Sequence, residues 1–145
     1  MDIALKEAKL AKELKEVPVG AVIVKEGKII AKAHNLRESL NSALAHAEIL
    51  AIDKACKKLN NWRLSRCELY VTLEPCPMCA GAILQSRICK VYIGTFDPTT
   101  GSAGSVVNIL QNKNLNNFVD VKWCYDKRCS DILSDFFKNR RILGK

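Results

Sequence analysis

Two short motifs combine residue types that bind metal and move protons. The first is His46-Ala47-Glu48; the second is Pro75-Cys76-Pro77-Met78-Cys79. An imidazole and two thiolates suit zinc in a tetrahedral shell, and three protein ligands leave the fourth position to water. Cys76 and Cys79 flank a predicted helix start, where both sulfurs can reach one ion and the helix N-terminus favours the ligating thiolate form. Two thiolates cancel the formal charge of the ion, so such a site is less Lewis-acidic than one with three neutral imidazoles. Glu48 supplies a carboxylate to take a proton from metal-bound water and pass it on. On a regular helix His46 and Glu48 point about 200° apart. They converge on one water only if His46 stands at an irregular first turn. Each motif alone has an ordinary reading: HxE is common on surface helices, and CxxC serves redox chemistry or structural zinc. Structural zinc usually wants four protein ligands, and His34 is the only other histidine. Together the motifs predict a catalytic zinc site of one ion per chain, with His46, Cys76 and Cys79 as ligands and Glu48 as proton carrier.

The elements that must position these residues follow from hydrophobic spacing. Ile3, Leu5, Leu10, Ala11 and Leu14 predict a helix over 2–15, stopped by Val17-Pro18. Apolar runs at 19–24 and 28–33 around Glu26-Gly27 predict a hairpin. Residues 34–45 are polar and irregular. A helix is predicted from 45 to 59, a strand over 67–73, a helix from Pro77 to Ser86 and a strand over 89–96. A loop over 97–105, a short helix at 105–111, a weaker strand at 118–124 and an amphipathic helix at 130–141 complete the order. Ile132, Leu133, Phe136 and Phe137 are the predicted inward face of that last helix. Strands alternating with helices predict an α/β fold, a single three-layer α/β/α domain over 1–145 around a mixed sheet.

Composition sets the outer bounds. The chain has 145 residues, 48% hydrophobic and 26% charged, the balance of an ordinary globular protein. No apolar run approaches the ~18 residues of a membrane span. The opening Met1-Asp2-Ile3-Ala4-Leu5-Lys6-Glu7 lacks a secretory h-region, so a cytoplasmic protein with no membrane association is expected. Seven cysteines in such a chain are not a disulfide framework, and the five outside the CxxC are expected to be small buried hydrophobes. The formal net charge of +8 is clustered. Lys54, Lys57, Lys58, Arg63 and Arg66 face only Asp53 over 53–66; Lys127, Arg128, Lys138, Arg140, Arg141 and Lys145 face Asp131 and Asp135 over 127–145. Clustered positive charge suggests a polyanionic partner, nucleic acid being the commonest, while basic surface residues that merely aid solubility are the plainer reading.

The pairing of HxE with PCxxC is the signature of zinc nucleobase deaminases. Beyond it, Val17-Pro18-Val19-Gly20-Ala21-Val22, Tyr70-Val71-Thr72-Leu73-Glu74 and Ser86-Arg87-Ile88 extend the similarity along nearly the whole chain. The chain resembles the bacterial tRNA-specific adenosine deaminases, which convert a wobble adenosine to inosine. The stretches Thr100-Gly101-Ser102-Ala103-Gly104-Ser105 and Ser134-Asp135-Phe136-Phe137, with the basic tail beyond, point to that branch. The resemblance implies a cytidine deaminase-like fold with a five-stranded sheet, a tRNA anticodon stem-loop as partner and a homodimer. It implies that Asn35 and the backbone N–H of Ala47 contact the flipped base, that Asp97 lies near the ribose 2′-OH, and that Val19 and Pro18 line the pocket. Lys138, Arg140 and Arg141 would lie along the RNA backbone. Each has a plainer alternative: Asn35 and Asp97 as turn formers, Val19 and Pro18 as a strand entering the core, the cations as a solvated helix end. One departure is Asn41-Ser42-Ala43-Leu44-Ala45, where the family usually has an Asp/Asn-Pro-Thr-Ala run; a looser loop over the pocket is expected. Two rivals share parts of this pattern. A guanine or other free-nucleobase deaminase would keep the zinc site but have no use for a basic tail. A non-catalytic RNA-binding protein with structural zinc would have no use for Glu48.

Overall fold

A computed structural model describes residues 1–144, so Lys145 of the basic C-terminal cluster lies outside the described residues. Ala4, Leu5, Ala8 and Ala11 recur at helical spacing and are buried, which forms α1 (Asp2–Glu13) and gives it one face to lay on a sheet. The hairpin of β1 (Gly20–Lys25) and β2 (Lys28–His34) turns through Glu26 and Gly27, both at positive φ (51° and 77°), the twist-matched two-residue turn. Then follow α2 (Ala47–Leu59), β3 (Cys67–Leu73), α3 (Pro77–Gln85), β4 (Lys90–Thr95), β5 (Asp120–Trp123) and α4 (Lys127–Ile142). Asn60 ends α2 in the left-handed conformation (φ 49°) that releases the chain from the helix.

The five strands form one mixed sheet in the order β2-β1-β3-β4-β5. β1 runs antiparallel to both its neighbours, whereas β3, β4 and β5 run parallel. α1 and α4 pack together and against the sheet, as α2 and α3 do, and the sheet lies between the pairs. This is the expected three-layer α/β/α architecture. Ala21, Ile23, Leu69, Val71, Val91 and Ile93 on the central strands are fully buried and form the core with Ala51, Ala55 and Ile83 of α2 and α3. Register brings four segments to one sheet edge: Gly20 pairs with His34, Ala21 with Val71, and Leu73 with Thr95. The start of β1 and the ends of β2, β3 and β4 therefore open side by side.

Four expectations need correction. Residues 105–111 form turns, not a helix. The N–H groups of Val106 and Val107 donate to the Gly101 carbonyl and Ile109 N–H to Ser102, folding the segment back on its own loop with a bridge between Ala103 and Asn108. α4 begins at Lys127, three residues early, because the Asp126 carboxylate accepts the Arg128 N–H at 3.0 Å and caps it. Phe136 is buried, but Phe137 is 41% exposed and only meets Phe136 edge-on. Of the five other cysteines, Cys67 and Cys129 are buried and Cys56 is half-buried, but Cys89 and Cys124, at strand ends, are exposed. No helix among the described residues is long and apolar enough to cross a membrane.

Two close constraints yield predictions. A Cβ on Gly20 would strike the Ala4 carbonyl and come within 2.7 Å of the Ala8 nitrogen, because α1 crosses β1 there. Gly20→Ala is expected to destabilise by about 2–3 kcal/mol, read as a lower urea midpoint. The Arg128 hydrogen bond holds the Asp126 carboxyl below the usual carboxylate range. The cap is therefore worth most above the unfolded-state pKa and fades as pH falls through the lower folded value. Asp126→Ala is expected to cost about 1 kcal/mol at neutral pH, with the difference from the parent closing in acid-titrated melts.

Candidate active site

The loop leaving β2 delivers His46 to the start of α2, where it is the N-cap in extended conformation (φ −74°, ψ 151°). The irregular first turn required for His46 and Glu48 to converge is present. The turn leaving β3 delivers Cys76 as the N-cap of α3, also extended (φ −72°, ψ 174°), with Pro77 in the first helical turn and Cys79 two residues further on. Two helix N-termini thus meet at one sheet edge. His46 Nδ1 lies 3.6 Å from Cys76 Sγ and 3.5 Å from Cys79 Sγ. All three donor atoms fall within 4.8 Å of one another, a group able to hold a metal ion.

The electrostatics match that grouping. The Cys76 thiol is pulled down to about 4, first by its hydrogen bond with Cys79 and then, against burial, by His46. Cys79 is pushed up by the same bond with Cys76 and by burial, so the two thiols are driven in opposite directions. His46 is raised, chiefly by its hydrogen bond with Cys76. Glu48 is 4% exposed, and burial drives its carboxyl above the ordinary range.

His46, Glu48 and Cys76, with Cys79 buried behind them, line a cavity of about 330 Å³ shared with Val17, Val19, Asn35, Ala47, Leu73 and Asp97, and with Thr100 and Arg140. Asn35 is buried; its amide donates to the Val17 carbonyl (3.2 Å) and accepts from Arg37 N–H (3.1 Å). These bonds use one of two N–H groups and one of two carbonyl lone pairs, leaving capacity on both sides of the amide. Pro18 is buried but does not line the cavity; its neighbour Val17 does. Asp97 lines the cavity, yet its carboxylate accepts from Thr99 and Thr100 within its own turn. Burial raises it, but those hydrogen bonds prevail and hold it low. Arg140 reaches the cavity with its guanidinium 5.5 Å over the Phe136 ring, whereas Lys138 and Arg141 are exposed and do not line it. His34 is held by Glu7 Oε1 at 3.1 Å, away from the metal-binding group.

Sequence reasoning missed Lys15, Glu16, Arg37, Glu38 and Glu74, all of which line the cavity. Glu16, 1% exposed, accepts from the N–H groups of Glu38 and Ser39 and from the Ser39 hydroxyl. Burial raises its carboxyl, but these bonds leave it lowered. They also fasten the loop whose departure at 41–45 predicted looseness. Leu36 N–H donates to Ala45 and Ser42 N–H to Arg37, closing the loop without the family's proline. In the sequence Glu16 follows Lys15 in a charged helix end, and nothing local marks it.

The whole chain matches known deaminases. A family model for MafB19-like deaminases matches residues 1–141. A tRNA-specific adenosine deaminase of Bacillus subtilis is 52% identical over 142 residues, spanning 97% of this chain and 88% of that protein. A solved structure from work on A-to-I editing by tRNA:A34 deaminases at the wobble position superposes with TM-score 0.88 at 42% identity, covering 92% of this chain and 97% of that one. A Bacillus subtilis guanine deaminase structure is more distant, at TM-score 0.63 and 33% identity over 95% of this chain and 89% of that one. With the paired helix starts, the described cavity and half its residues in common with such a relative, this chain belongs to the tRNA-specific adenosine deaminase family.

Proposed function

We propose that this protein hydrolyses the wobble adenosine of a tRNA anticodon loop to inosine, releasing ammonia. The observation that carries the reading is the convergence of His46 Nδ1 and two cysteine sulfurs beside the buried Glu48 at the floor of a nucleoside-sized cavity. The donor set fits zinc. Bonds of ~2.3 Å to sulfur and ~2.0–2.1 Å to nitrogen at a tetrahedral angle put nitrogen and sulfur about 3.5 Å apart, and the observed separations are 3.5 and 3.6 Å. Zinc held by His46, Cys76 and Cys79 supplies an activated water when bound.

The chain's own residues do the rest. Glu48, buried beside the ligand group, takes a proton from the attacking water and passes it to a ring nitrogen of the base as the C–O bond forms; it then takes the remaining proton of that hydroxyl and gives it to the amine, so the C–N bond breaks, ammonia leaves and a carbonyl remains. The first N–H groups of a helix have no intrahelical partner, so Ala47 can present one to the base edge. Asn35 offers its remaining donor and acceptor to the same edge. Val17, Val19 and Leu73 give the ring an apolar wall. A loop base is already unpaired, so its extrusion costs little.

Charge supports RNA over a free base. Lys15, Arg37 and Arg140 line the cavity beside Glu16, Glu38 and Glu74, in a chain of formal net charge +8, and Lys138 and Arg141 stand exposed on α4. The resemblance assigns Asp97 to a ribose hydroxyl; that Asp97 lines the cavity, its carboxylate organised by Thr99 and Thr100, supports this reading. A homodimer in the cytoplasm belongs to the same reading on the strength of the resemblance.

Three outcomes are expected. Incubating tRNA with the purified protein and sequencing it should reveal one anticodon adenosine read as guanosine; ready guanine turnover with no edited tRNA overturns the proposal. Glu48→Ala should retain zinc by metal analysis and lose about 10²–10⁴-fold in kcat, whereas Cys79→Ala should lose zinc and thermal stability together. Editing efficiency should fall about tenfold or more between ~50 and ~200 mM salt if some three phosphates are contacted, while small-molecule turnover would barely respond.

A further inference from the structure

The segment from Asp97 to Ser105 forms one wall of the cavity and contains Gly101 and Gly104, yet it belongs to no strand or helix. Its attachments lead to one place. Glu74, 2% exposed at the end of β3, accepts through Oε1 the N–H of Asp97 (3.0 Å) and the Ser105 hydroxyl. Through Oε2 it accepts the N–H groups of Ala103 (2.9 Å) and Ser105 (3.1 Å). The adjoining Pro75 carbonyl accepts the Ser102 N–H at 2.9 Å. Among the described residues no cation pairs with Glu74; four donors from a single loop satisfy it. A second observation concerns Gly101. A Cβ there would lie 2.5 Å from Glu74 Cδ and Oε1, so the loop can close over the carboxylate only because position 101 has no side chain.

We propose that Glu74 is the positioning residue for the substrate-facing wall: its carboxylate gathers the 97–105 loop and holds Asp97 and Thr100 against the cavity. The inference rests on the deaminase reading above and deepens it. Glu74 is not a catalytic residue, since both oxygens are engaged by the loop. It sets where Asp97 stands, and Asp97 in turn shapes the Thr99-Thr100 turn by its own hydrogen bonds. A buried carboxylate satisfied by backbone N–H groups fixes a loop more sharply than apolar packing, because each unpaired donor would itself be costly.

The test uses three substitutions where Glu74 meets the loop. Glu74→Gln keeps the shape but puts an NH₂ against donors. Gly101→Ala crowds both the Glu74 carboxylate and the Asp97 carbonyl while keeping the carboxylate group. Ser105→Ala removes only the hydroxyl bond. For each zinc-loaded protein, KM and kcat on an anticodon stem-loop RNA are measured beside amide hydrogen exchange of 97–105 and zinc content. Glu74→Gln and Gly101→Ala are expected to raise KM about tenfold with kcat within about threefold, and Ser105→Ala to raise KM about threefold. In all three, loop exchange should quicken while zinc content holds. Unchanged KM and unchanged loop exchange in folded variants overturn the proposal. So does parallel loss of zinc and kcat, which would assign Glu74 to the ligand turn instead. If Glu74→Gln does not fold, the other two variants decide. A parent protein that edits no RNA defeats the deaminase reading, whereas amide exchange reports on the Glu74 contact whether or not RNA is edited.

Discussion

Three ligand atoms from two helices must arrive within 4.8 Å of one another, and most of the architecture serves that requirement. His46 and Cys76 each stand at the N-cap of a helix, in extended conformation, immediately after a strand-edge loop. Those caps converge because β2 and β3 flank β1 in fixed register and point their C-terminal ends the same way. The small residues Ala47, Ala51 and Ala55 line the buried face of α2, which packs against β1 and β2 and against α3. Two helix dipoles with their positive ends at one point also favour the thiolate form at Cys76, which its hydrogen bonds already hold low.

Around that point stand three buried carboxylates with different surroundings. Glu48 meets apolar burial and a neighbouring thiolate, so its proton is held more tightly than in water. Glu16 is also shielded from solvent but lies less deeply in the protein, and it receives three hydrogen-bond donors from the 38–39 turn, which prevail over desolvation and leave it lowered. Glu74 receives four donors from the 97–105 loop. For Glu48 and Glu16, depth of burial and the donors aimed at the carboxylate together set the direction of the shift. One carboxylate is suited to exchanging protons, and the other two are suited to holding loops. Residues of both loops line the same cavity.

Much of this was legible in the chain. Alternating and helical spacing located every strand and all four helices, because burial on one face leaves a periodic imprint. Boundaries erred where a single cap decided them, as Asp126 did for α4. The false helix at 105–111 failed for a tertiary reason: Gly101 and Ser102 offered carbonyls to the following N–H groups, and Glu74 anchored the loop that presents them. Phe137 looked like a core residue by spacing alone, but it sits just off the stripe on which Phe136 is buried.

The metal-binding group was readable because its chemistry demands particular side chains at particular intervals, and those intervals survive in one dimension. Glu16, Glu74, Lys15 and Arg37 were not, since nothing local distinguishes a glutamate that will clasp a loop from one that will face water. Residue types and spacing determined the donor set, the helix starts and the layered fold. Tertiary structure alone decided which carboxylates would be buried, which loops they would hold and which cations would stand at the cavity mouth. Those properties depend on contacts between segments more than twenty residues apart, set by sheet register and by the absence of a side chain at Gly101.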